Sequence, residues 1–126
     1  RDLDWSDQGV EGSYRFINRV WRLVMGNLDV LKKAPEPIGA DQTSQHLHRK
    51  THQTIRKVTE DIERTHFNTA ISAIMELTNT VYGILPPDPT TFGAFQEAVR
   101  TILILLSPFV PHVTEELWHR MGETTY

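Results

Sequence analysis

The 126-residue chain predicts an all-α fold, a helix bundle of four main helices plus a short C-terminal helix. Three observations predict it. Apolar residues recur at steps of three and four along most of the chain, the period of a helix with one buried face. Nowhere do they alternate one by one, as a half-buried strand requires. Proline and glycine clusters near 34–43, 86–89 and 107–111 cut the periodic stretches into pieces of helical length.

Residues 1–12 carry Asp2, Asp4, Asp7 and Glu11 and read as an acidic linker entering a helix, whose positive end favours acids. With no initiator Met, this start reads as a cut edge. The first helix is expected from Gly9 or Ser13 to Lys33, with Ile17, Val20, Trp21, Val24, Leu28 and Leu31 inward. Gly26 costs it about 1 kcal/mol and argues against a straight rod. Pro35, Pro37 and Gly39 mark a loop. Thr43 or Ser44 is expected to cap a second helix running to about Arg64, with Leu47, Thr51, Ile55, Val58 and Ile62 as its stripe.

A corner follows. Asn68 is the expected N-cap of the third helix, about Thr69 to Gly83 or Leu85, and Phe67 with Ile71 a hydrophobic staple. Pro86, Pro87 and Pro89 end that helix. The fourth, about Phe92 to Leu106, becomes continuously apolar from Ile102, so its late end is expected to be the most buried. Pro111 suits the first turn of a fifth helix. Val113, Leu117, Trp118 and Met121 line that helix, and Gly122 stops it.

Composition narrows the function. No apolar run approaches the ~20 residues of a membrane span. The chain has no cysteine, which excludes disulfides and thiolate chemistry and fits a reducing cytoplasm. Net charge is only −3, yet residues 14–57 hold nine Lys and Arg against three acids, a local balance of +6. A basic side attracts phosphate. Arg19, Arg22, Arg49, Lys50, Arg56 and Lys57 are the candidate RNA-binding residues, able to line one groove if the first two helices are neighbours. Trp21, between two of the arginines, fits the core better than a base-stacking platform.

Catalytic signatures are missing: no glycine-rich phosphate loop, no nucleophile elbow. Glu63-Arg-Thr-His66 and Glu116-Leu-Trp-His119 are two Glu-x-x-His pairs of the kind di-metal bundles use. His66 falls at a corner, however, and the last helix is short. His48 and His52 share a helical face, but no carboxylate stands near them in sequence. No residue is therefore assigned to catalysis or to a metal.

Three stretches carry a resemblance. Asp2-Leu-Asp-Trp-Ser-Asp-Gln-Gly-Val-Glu-Gly12 followed by Arg15-Phe-Ile-Asn-Arg-Val-Trp-Arg-Leu23 resembles the junction between the catalytic core and the helical tRNA-binding domain of bacterial-type leucyl-tRNA synthetases. His52 to Asn79, with Lys57-Val-Thr-Glu-Asp-Ile-Glu-Arg64 and Phe67-Asn-Thr-Ala-Ile71, resembles the next two helices. Leu106-Ser-Pro-Phe-Val-Pro-His-Val-Thr-Glu-Glu-Leu-Trp118 resembles a closing motif shared by class I synthetases for Leu, Ile, Val and Met. Thr65 departs from the pattern, where a bulky aromatic is expected.

The resemblance implies the class I anticodon-binding-domain bundle over 13–122. It makes 1–12 a linker from a catalytic core outside this chain and 123–126 the start of an exit segment. It implies a parent enzyme that uses ATP and Mg to join leucine to tRNA(Leu) in the cytoplasm, with catalytic, editing and C-terminal domains elsewhere in the same chain. The HIGH-type and KMSKS-type signatures are not in this sequence, so it implies no catalysis and no cofactor here. Leucyl enzymes of this kind generally hold tRNA by its backbone without reading the anticodon. The alternatives from the residues alone are a purely structural bundle and a di-metal carboxylate bundle.

Overall fold

A computed structural model describes residues 7–123, with side chains from residue 12 onward. The acidic start before Asp7 and the trailing 124–126 lie outside the described residues. The described residues form six helices and no strand: α1 Asp7–Met25, α2 Leu28–Leu31, α3 Gln42–Glu63, α4 Phe67–Tyr82, α5 Phe92–Leu106 and α6 Pro111–Arg120. The all-α bundle is as predicted, with one helix more.

That extra helix comes from Gly26. Met25 ends α1, and the Asn27 amide turns back to the Val24 carbonyl at 3.1 Å, a tighter turn than α. The Asn27 side chain donates to the Leu23 carbonyl at 2.8 Å, closing the end of α1. The chain then bends, and the single turn of α2 returns Val30 and Leu31 to the core. α1 also starts at Asp7, inside the stretch expected to be linker.

α5 is the pillar of the bundle. It packs against α2, α3, α4 and α6, while α1 packs on α4 and α6. Phe95, Ala98, Val99, Ile102 and Leu103 are all fully buried. The expected burial gradient is reversed, however. Gly93 to Gln96 are buried in succession, whereas Ile104 is 46 % exposed. The reason is the 34–41 loop, which lies across the first turns of α5. A Cβ added to Gly93 would run into the Pro37 carbonyl oxygen. Gln96, 1 % exposed, accepts from the Glu36 amide at 2.9 Å and donates to the Val30 carbonyl at 3.0 Å. One buried amide side chain thus takes up the loop's Glu36 amide and ties it to the Val30 carbonyl of α2.

Both expected caps around α3 move. Asp41, not Thr43 or Ser44, caps it: Oδ2 accepts from the Ser44 amide at 3.0 Å. These Ser44 hydrogen bonds hold the Asp41 carboxyl below its ordinary range. Ser44 is buried and donates its hydroxyl to the Thr90 carbonyl at 3.0 Å, fastening α3 to the turn before α5.

At the far corner α4 begins at Phe67 with His66 as N-cap residue, so Asn68 sits inside the first turn. The organising residue is Asp61. Its carbonyl accepts from the His66 amide at 2.6 Å, and the Thr65 amide reaches the Ile62 carbonyl at 3.0 Å. This is a Schellman end with Thr65 in the left-handed region at φ 58°. The Asp61 carboxylate accepts from the Thr69 hydroxyl at 2.7 Å, which with Lys57 keeps it below its ordinary pKa despite burial. The expected Phe67–Ile71 staple gives way to an edge-to-face pair of Phe67 with Phe109, 6.1 Å between centroids. Gly122 stops α6 as predicted, at φ 92°, with Glu123 and Gly122 amides on the Trp118 and His119 carbonyls.

Candidate nucleic-acid interface

α3 has two unlike sides. Ser44, Leu47, Thr51, Thr54, Val58 and Asp61 face inward. Only two of these six are apolar, and the predicted stripe is rotated, leaving Ile55 and Ile62 half-buried. The threonines are satisfied locally: Thr51 donates to the Leu47 carbonyl at 2.9 Å and Thr54 to the Lys50 carbonyl at 2.8 Å. The outer side carries exposed Arg49 and Arg56 in its earlier turns and exposed Glu60 and Glu63 in its last two. Arg49 and Arg56, seven residues and so about two turns apart, are both exposed. Neither side chain has a partner among the described residues.

The six predicted residues divide. Arg22 is exposed like Arg49 and Arg56 and, among the described residues, also has no side-chain partner. Arg19 is tied down: its guanidinium donates to Asn79 Oδ1 at 2.7 Å and lies 4.3 Å from the Tyr82 ring centroid. Tyr82 in turn donates to the Arg19 carbonyl at 2.6 Å, so this arginine joins α1 to α4. Lys50 meets Glu76 at 3.3 Å, and Lys57 meets Asp61 at 3.3 Å. The Lys50 pair is long and its carboxylate exposed, so that ammonium stays available to an anion, whereas Lys57 is held by the buried Asp61 carboxylate.

The single groove expected between the first two long helices does not form. α1 packs on α4 and α6, and α3 on α4 and α5. A shallow groove of about 350 Å³ lies instead between α3 and α4, lined by Lys50, Gln53, Lys57, Ser72 and Glu76 among others. Arg49 borders a second hollow beside Gln42, His46 and Ile84. Trp21 packs half-buried against the core, with the Arg120 guanidinium 5.7 Å from its ring. It is a core residue with a covered face.

The metal readings change as well. Glu116 pairs with Arg120 at 2.7 Å, and among the described residues the two Glu-x-x-His motifs bring no shared cluster together. The carboxylate that His48 and His52 lack in sequence is supplied by Glu97 on α5. Its two oxygens meet His48 Nδ1 at 2.8 Å and His52 Nε2 at 2.9 Å. Sequence reasoning missed Glu97 because it lies 45 or more residues away. Its one signal is an acid standing between the buried Gln96 and Ala98.

Residues 44–126 match the family model described as the anticodon-binding domain of tRNA ligase. The chain belongs to that family. As an anticodon-binding domain it has close relatives. It is 52 % identical over 131 residues to a leucine–tRNA ligase of Syntrophobacter fumaroxidans, covering 98 % of this chain and 16 % of that protein. It is 54 % identical to a leucine–tRNA ligase of Syntrophus aciditrophicus, covering 97 % of this chain and 15 % of the relative. The anticodon-binding domain therefore spans about one sixth of the curated relatives it matches. The fold also matches a chain in the crystal structure of the ternary complex of Agrobacterium radiobacter K84 agnB2 LeuRS, tRNA and LeuAMS. The TM-score is 0.84 at 34 % identity, over 98 % of this chain and 16 % of that one. No helix of the described anticodon-binding domain is long and apolar enough to cross a membrane.

Proposed function

We propose that this chain is the tRNA-binding helical domain of a leucine–tRNA ligase, holding tRNA(Leu) by its phosphates while other domains perform the ligation. The observation that carries the reading is the outer side of α3, where Arg49 and Arg56 stand exposed, one above the other, neither in an ion pair among the described residues. Cations left unneutralised on a rigid helix, in a chain of net charge −3, suit a polyanion. Arg22 adds a third such group on α1, Lys50 releases a weak pair as a phosphate approaches, and Lys57 contributes its charge while still paired with Asp61. In this reading the arginines contact phosphates, which position the RNA without selecting sequence.

In this reading residues 13–122 are the domain, 1–12 lead in from the catalytic core and 123–126 lead out. ATP and Mg act in the catalytic domain of the parent enzyme, whose editing and C-terminal domains complete it in the cytoplasm. No group of this chain activates leucine.

The test is binding of the 126-residue chain to a leucine tRNA transcript and to a non-cognate tRNA across a salt series, with helicity monitored. The expected result is affinity falling linearly on a log–log salt plot, with little preference between the tRNAs. Arg49→Gln and Arg56→Gln should each flatten the slope by about 0.7–0.9. No binding at low salt by a folded chain would overturn the reading in favour of a purely structural bundle.

A further inference from the structure

We propose that His48 and His52 on α3, with Glu97 on α5, form a binding site for a divalent transition metal, Zn²⁺ by preference, that clamps the two helices together. The inference is independent of tRNA binding.

The geometry comes from two elements. Spacing of four residues stacks the two imidazoles on one face of α3. Their ring centroids are 4.5 Å apart with an interplanar angle of 64°. Packing of α3 on α5 then brings the Glu97 carboxylate between them, one oxygen to each ring. One donor atom from each of the three residues lies within 4.8 Å of the others. Tetrahedral zinc with bonds of about 2.0–2.2 Å needs donors about 3.3 Å apart. The two nitrogen–oxygen separations of 2.8 and 2.9 Å, each to a different Glu97 oxygen, have to open by about half an ångström, and the widest separation, within 4.8 Å, has to close towards the same spacing by rotation of the exposed imidazole.

Proton balance is simple. Without metal, each neutral imidazole donates its N–H to Glu97. For metal binding the proton moves to the other ring nitrogen, Nε2 of His48 and Nδ1 of His52, and the freed lone pair turns to the ion. No net proton is lost. His52 is 54 % exposed, so solvent can accept the relocated N–H and supply the fourth ligand. Two imidazoles and one carboxylate are the donor set of open zinc sites. Two nitrogens of three disfavour Mg²⁺ and Ca²⁺, which want oxygen.

The experiment is Zn²⁺ titration of the 126-residue chain against a chromophoric chelator, with Co²⁺ as a spectroscopic substitute. The expected result is one equivalent bound and visible absorption of four-coordinate Co²⁺. His52→Ala and Glu97→Gln should each weaken binding at least about tenfold, while His46→Ala, on α3 outside the cluster, should leave it unchanged. His52 is exposed, so its alanine variant keeps the fold and decides the matter if Glu97→Gln lowers helicity. Absence of saturable uptake, or equal uptake by wild type and His52→Ala, would overturn the proposal.

Discussion

α3 and α5 lie side by side and are built on opposite plans. α5 is wrapped by four other helices and by a loop, and its inner residues are large, apolar and fully buried. α3 is covered on one side only, by a seam in which Ser44, Thr51, Thr54 and Asp61 replace hydrocarbon. Its hydroxyls bond to its own backbone or to the turn before α5, so the seam fixes position more than it drives burial. One helix thus supplies cohesion and the other presents charge. The difference teaches where to look for function in a small bundle: on the helix that keeps one whole side outside the core.

The comparison can be broken most sharply at Phe95. Phe95→Ala should lower unfolding free energy by about 3–5 kcal/mol in urea denaturation, since the ring is fully buried beside the loop seat. Gly93→Ala should follow at about 3 kcal/mol. Its new methyl meets the backbone of Glu36 and Pro37, which cannot yield as a side chain could. On α3 the signs and sizes change. Thr65→Gly should raise stability by about 1 kcal/mol, by releasing a β-branched residue from the left-handed region. Arg49→Gln with Arg56→Gln should shift stability by no more than about 0.5 kcal/mol, while weakening RNA binding. A double variant as destabilising as Phe95→Ala would end the division of labour.

Acid should act through the two ends of α3 and the turn before α5. Asp41, Asp61 and Asp88 all have folded pKa values below the ordinary carboxyl value of 3.8, through Ser44, Thr69 and Thr90 respectively. Their contribution is complete above that value and declines as pH falls below it towards the folded pKa. Thermal melts between about pH 5 and pH 2 should show this loss, and Asp61→Asn should flatten it. An unchanged profile in that variant would remove Asp61 from the corner's stability.

The bounds of α5 were legible because its apolar period is strong and prolines flank it. The Gly122 stop was legible for a similar reason: the residue type and the backbone need coincide. The corner was not, because Thr65 holds a left-handed position that glycine more often takes and so carries no stop signal, and the capping interaction runs from Asp61 to Thr69 across the turn. Asp41 lost the cap assignment to two hydroxyl residues that are equally good in isolation. The reversed burial of α5 was invisible because the covering element is a proline-rich loop without periodicity. Of the basic residues, sequence identified the types but not their partners. Arg19 is committed to Asn79 and Tyr82, and nothing local in the sequence links them. Glu97 was hidden for the same reason.

Arg100 has a mechanical consequence. Its Nη2 donates to the Leu31 carbonyl at 3.1 Å, and its Nε holds Glu123 at 3.0 Å. The end of α2 and the chain beyond α6 are thereby bolted to one guanidinium on the stiffest rod in the molecule. Torque applied at residue 123 is delivered to residue 31 within a few ångströms, without first bending α6.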